Sequence, residues 1–137
     1  ASRRRSVVSS PRPRLAVGLG AGIGAAGVMH FVRPEFFDAI VPPWLPPSQR
    51  FWTLISGVAE LVVGVMLFVP RWRRSGAIAL FVLLVAVYPA NLYMTWDWRN
   101  RPAGERVVSW VRLPLQFVLF ALARMASGPW RTSAHRG

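Results

Sequence analysis

The sequence has no cysteine and no lysine, and only five acidic residues stand against 17 arginines. Without cysteine, disulfides, thiolate metal ligands and thiol redox chemistry on this chain are excluded. Charged residues make up 16% of the chain, where a soluble domain carries about a quarter. Also missing are a glycine-rich phosphate loop, metal-ligand spacing and a Ser/His/Asp arrangement for nucleophilic catalysis. We therefore expect no catalytic residue, no metal and no nucleotide cofactor. A net charge of +12 on 137 residues is often the mark of a nucleic-acid binder. Here the arginines cluster at the ends of apolar runs, so the expected partner is a lipid bilayer and not nucleic acid. Arginine as the sole basic residue, with abundant Ala, Gly and Val, is the usage of a GC-rich bacterial genome, and points to a bacterial inner membrane.

What is present is apolar sequence in long runs; hydrophobic residues make up 53% of the chain. Four runs, about 15–32, 51–69, 76–96 and 107–127, each approach the roughly 20 helical residues that cross a hydrocarbon core. The fourth is interrupted by Arg112 and Pro114. The fold class expected is all-α, an integral membrane four-helix bundle spanning 15–127, with basic tails at 1–14 and 128–137. The first run follows Arg3, Arg4 and Arg5 and has the look of a secretory signal; we expect it to be retained as a span. Arginine counts orient the bundle. The N-terminal tail holds five, the loop with Arg71, Arg73 and Arg74 three, and the stretch from Arg124 three more. The opposite side holds Arg33, Arg50, Arg99, Arg101 and Arg106. The positive-inside rule then puts both termini in the cytoplasm. Tryptophans 44, 52, 72, 96, 98, 110 and 130 fall at or near the run ends, as an interfacial aromatic belt does.

Few polar residues lie within the runs. Glu60 sits at the middle of the second, where a charge facing lipid costs at least about 2.5–3.5 kcal/mol, so it is expected to face the bundle interior. Ser56, Gly57 and Gly64 lie three or four residues from it and share its helix face, forming a helix-packing stripe of small residues. The third run carries Tyr88, Pro89 and Asn91; Pro89 removes a helical donor and kinks the helix, leaving the Val85 carbonyl free. The first run carries His30 after a glycine-rich stretch, and the fourth carries Arg112 and Gln116. Each has two open readings. Glu60 is a proton relay or a structural acid bonded to Asn91 or Tyr88; His30 is a ligand contact or a headgroup-level residue. Asn91 is a site residue or interhelical glue, and Arg112 a snorkelling side chain or a partner of Glu60.

Between the first two runs lies RPEFFDAIVPPWLPPSQR, residues 33–50. Pro34 and Glu35 suit the first turn of a short helix. The doublets Pro42-Pro43 and Pro46-Pro47 impose an extended path around Trp44. Such backbone cannot face lipid at depth. We expect a short interfacial helix and a lid formed by Phe36, Phe37, Pro42, Pro43, Trp44, Pro46 and Pro47 on the extracytoplasmic side. It roofs a ligand or is an interfacial anchor alone.

The segments GVMHFVRPEFFDAIVPPWLP, SGVAELVVGVMLFVPRWRRSGAIAL and VYPANLYM together resemble the DoxX-like family of small four-helix bacterial membrane proteins. The resemblance covers roughly residues 25–96, through His30, Phe31, Pro34, the Ile40-Val41-Pro42 turn, Gly57, Glu60, Gly64, Pro70 and Pro89-Ala90-Asn91. It implies association with redox membrane complexes. Three functions follow as expectations. The first is an accessory subunit of a larger membrane complex, with other membrane subunits as partners. The second is a quinone- or lipid-binding protein with His30, Trp44, Glu60, Tyr88 and Asn91 as ligand or proton-relay contacts. The third is a small transporter. A haem would need an axial histidine, and only His30 lies in a span, His135 being in the tail.

Overall fold

A computed structural model describes residues 13–128 of the chain. The expected tails, with Arg3, Arg4, Arg5 and Arg12 at one end and Trp130 and His135 at the other, fall almost wholly outside the described residues. All described regular structure is helical: α1 (Pro13–Val32), α2 (Pro34–Asp38), α3 (Gln49–Phe68), α4 (Arg73–Asp97) and α5 (Ala103–Ala126). Short 3₁₀ turns at Pro70–Trp72 and Trp98–Asn100 join α3 to α4 and α4 to α5. The four long helices are each long and apolar enough to cross a membrane.

The long helices start earlier than their apolar runs. α3 begins at Gln49 because Ser48 caps it, its Oγ accepting from Phe51 N at 3.1 Å. At the other end of α3, Arg73 turns back, donating from Nε to Leu67 O at 3.1 Å and from Nη2 to Phe68 O at 3.3 Å. These carbonyls have no helical donor, and a cation there also suits the helix dipole. The basic loop is thus a C-terminal cap as well as a topological signal. α4 continues unbroken through Pro89.

α3 packs extensively on α1 and also on α4, α4 packs on α5, and α5 touches α1 only sparsely. The helices therefore follow one another around the bundle in the order α1, α3, α4, α5. At the end holding the α3–α4 turn, the core is Ala16, Val63, Leu67, Ala77, Leu80, Leu84, Ala123 and Ala126. At the α2 end it is smaller: Ile40, Met94 and Trp98. Between these two cores the interior turns polar. Outward faces carry Val58, Val62, Val65, Val82, Val85, Val111, Leu115 and Val118, all exposed. Helices apolar on both faces match a lipid surround and not water.

Candidate functional site

Glycines place the site. A Cβ on Gly27 would meet Gly57 O at 3.0 Å and Glu60 Cβ at 3.1 Å. A Cβ on Gly57 would meet His30 Cβ at 2.8 Å, and one on Gly64 would meet Gly20 O at 3.1 Å. α1 and α3 thus touch backbone to backbone along a seam of Gly20, Gly24, Gly27, Gly57 and Gly64, as small residues allow. The packing stripe on α3 is covered by α1 of the same chain. Its register sets His30 opposite Glu60.

The His30 side chain is buried. Its Nδ1 lies 2.7 Å from Ala26 O and 3.0 Å from Glu60 Oε2. Ala26 O can only accept, so a proton on Nδ1 satisfies it, and Glu60 Oε2 sits beside the same nitrogen. The N–H aligns with Ala26 O, while Glu60 Oε2, itself buried, makes the ion-pair contact without an aligned hydrogen bond. Phe37 stacks on the imidazole, ring centroids 3.6 Å apart and planes 19° from parallel. Phe36 stands edge-on to Phe37 and to Trp98.

Beside this pair lies a cavity of about 310 Å³, at the low end of small-molecule sites at about 300–1,000 Å³. All five helices line it. Its polar wall is His30, Thr53, Ser56, Glu60, Asn91 and Arg112; its apolar wall is Phe36, Phe37, Ile40, Val41, Val87, Ala26 and Ala90. Asn91 is buried and donates through Nδ2 to Gln116 Oε1, while Gln116 Nε2 donates to Leu84 O. The acceptor is thus the Leu84 carbonyl and not that of Val85, the one Pro89 leaves without a helical donor. The chain of amides ties α4 to α5 and positions Asn91 at the cavity wall. Arg112 is half-buried at the same wall. Glu60 is turned to His30, and Arg112 makes no ion pair with it at bonding distance.

The cover is α2. It is held to α3 by Asp38, whose Oδ2 accepts from Arg50 Nε at 2.9 Å and lies 2.8 Å from Arg50 Nη2. Gln49 Nε2 adds a bond to Val41 O at 2.7 Å. Burial alone raises the Asp38 carboxyl, but the Arg50 guanidinium and the neighbouring Thr53 hydroxyl outweigh it and hold the group below the usual carboxylate range.

Of the residues expected at a site, the structure brings His30, Glu60 and Asn91 together, with Ser56 beside them and Phe36 and Phe37 above. Trp44 is not among them: it is 72% exposed and lines no part of the cavity. Pro42 turns inward and is buried, Pro43 and Trp44 turn out, and Pro46 and Pro47 are exposed. The roof is therefore the phenylalanine pair with Ile40 and Val41, and the proline segment lies outside it. Tyr88 also stands apart, edge-on to Phe117 at 5.8 Å. Val87, Ala90 and Asn91 share the inward face at helical spacing, which turns Tyr88 away. Thr53, 1% exposed, was not expected. Its spacing of three from Ser56 and seven from Glu60 is the signal that places it on their face. Among the described residues no group of three or more His, Cys, Asp or Glu is placed to hold a metal.

A family model described as Domain of unknown function (DUF8561) matches residues 19–127, which include every residue of the cavity wall. Comparison with curated proteins and with solved structures gives no significant match.

Proposed function

The chain belongs to the family described as Domain of unknown function (DUF8561), and from that premise we propose that it is a multi-pass membrane protein that binds one small amphiphile beneath α2. The observation that carries this reading is the cavity itself. It joins an aromatic roof to a wall bearing a carboxylate, an imidazole, an amide and a guanidinium, inside helices whose outer faces are apolar between their charged ends. Convergent polar groups in a mostly apolar hollow are the usual composition of a ligand site. Ionisable residues within membrane helices are functional by default.

The arginine asymmetry supports a site in the extracytoplasmic half of a bacterial inner membrane, with both termini inside. The resemblance to DoxX-like proteins belongs to the same proposal: a quinone or a lipid is an amphiphile of the right kind, and a redox complex is where such a protein works. The accessory-subunit role loses one of the features that favoured it, because the glycine stripe of α3 is occupied by α1. A transporter reading gains no support from a cavity covered at one end and closed by the Leu67 and Leu80 core at the other.

The test is native mass spectrometry of the protein extracted from its own membranes in mild detergent. One amphiphile per chain is expected on the wild type, and none on Ala90→Phe, whose ring fills the cavity. The thermal midpoint of that variant serves as the check on folding. A wild-type chain that retains no adduct, or an adduct that Ala90→Phe and Glu60→Gln leave untouched, overturns the reading.

A further inference from the structure

We infer that the head of the bound amphiphile is a carboxylate and that Arg112 is the residue that holds it, an inference that rests on the amphiphile site proposed above. Arg112 comes from the middle of an apolar helix and is half-buried at the cavity wall. Its guanidinium presents five N–H donors and no acceptor. Among the described residues, no carboxylate comes within the 4.0 Å of an ion pair with it; the pairs formed are His30–Glu60, Asp38–Arg50 and Arg101–Glu105. It also makes no hydrogen bond to a described residue, whereas Asp38 and Arg50, Arg73 and Arg124 are all engaged. The Arg112 nitrogens are not sealed in the packing and stay open to an acceptor that enters the cavity. Glu60, the carboxylate on the same wall, attracts Arg112 through space, but it is turned to His30 at 3.0 Å and makes no bond to the guanidinium.

The acceptor is then expected from the ligand. A guanidinium fork matches a carboxylate through two parallel N–H···O bonds, the strongest neutralising contact open to it. A head bearing two negative charges is disfavoured on a wall that already carries Glu60. The tail has a place as well. A second hollow of about 520 Å³ shares Ala26, Phe36 and Phe37 with the cavity and continues past Met29 to Arg33 and Glu35. The two phenylalanines pack edge-on at 5.2 Å and form the wall common to both hollows, so a chain anchored at Arg112 reaches the outer hollow when Phe36, itself 45% exposed, swings aside. A single-chain fatty carboxylate is the simplest ligand with a head for the cavity and a tail for the neighbouring hollow.

The experiment uses the full chain in nanodiscs with cis-parinaric acid and its methyl ester as probes. Energy transfer from tryptophan is the readout; Trp98 lies 6.3 Å from Phe36, centroid to centroid. The acid is expected to bind about ten-fold or more tightly than the ester, the size of one charge-assisted pair. Arg112→Gln brings the acid down to the level of the ester, and Arg112→Lys restores part of the difference. Because the acid-to-ester ratio is read on the wild type first, the inference stays testable even if a variant misfolds. Equal binding of acid and ester overturns the carboxylate head and leaves the amphiphile site standing. Tighter binding of a lysophosphatidic acid than of parinaric acid overturns the carboxylate in favour of a phosphate. Failure of both parinaric probes overturns the inference alone if native mass spectra still show an adduct, and removes the site as well if they do not.

Discussion

Replacing Gly57 by alanine tests the seam that builds the site. The added Cβ would lie 2.8 Å from His30 Cβ and 2.9 Å from a ring carbon of Phe31. Ordinary contact begins at 3.4 Å, so α1 must withdraw by about half an ångström on the His30 side. One obstacle is a Cβ fixed to the α1 backbone, which no rotamer change relieves. Overpacking of this kind costs about 1–3 kcal/mol, while the gain in helix propensity on Gly→Ala returns about 0.5–1 kcal/mol. A net destabilisation of up to about 2.5 kcal/mol follows, together with a lengthened His30–Glu60 contact. The internal controls are Gly18→Ala and Gly22→Ala, whose Cβ atoms meet nothing within 4 Å and which should be neutral or stabilising. Thermal unfolding in detergent, followed by the intrinsic fluorescence of the seven tryptophans, gives the ranking. If Gly57→Ala is as stable as Gly22→Ala, α1 and α3 do not meet as described, and the His30–Glu60 pairing falls with them.

Asp38→Asn removes the latch between α2 and α3, so amide exchange over residues 33–48 should quicken at neutral pH. Because the folded carboxyl titrates below its unfolded value, the latch contributes above the ordinary carboxylate range, about pH 4, and is lost as the pH falls further. Wild type and variant should thus converge in acid, and equal exchange at neutral pH would refute the latch. Asn91→Leu strands the Gln116 Oε1 acceptor and should lower stability by about 1 kcal/mol; an unchanged thermal midpoint would show the amide chain to be dispensable. Reporter fusions at the C-terminus should be active as a fluorescent protein and inactive as alkaline phosphatase, and the reverse pattern would invert the proposed orientation.

The spans were legible because their apolar runs are longer than any soluble helix of this composition needs. Their ends were not, since Gln49, Arg73 and Glu105 are polar residues that continue helices beyond the apolar run. Both halves of the glycine seam were readable separately, as a glycine-rich stretch before His30 and a small-residue stripe around Glu60. That the two halves meet each other, and not a partner protein, depends on how α1 crosses α3, and no local pattern encodes that. Trp44 drew attention by size and by its proline brackets. The turn at Pro42 directs it outward, and the smaller Phe37 takes the place against His30. Thr53 and Arg112 show the converse. Their helical spacing and their position in an apolar run were visible, but only the assembled wall gives them a common hollow.

The central claim is that the polar cluster beneath α2 is a ligand site and not interhelical glue. The measurement that tests it most directly is a density map of the protein purified from its own membranes at a resolution that shows side chains. The account predicts elongated non-protein density with its head at Arg112 and its tail running to the Phe36–Phe37 wall. A cavity filled only by water, or by Arg112 swung over to pair with Glu60, would contradict it.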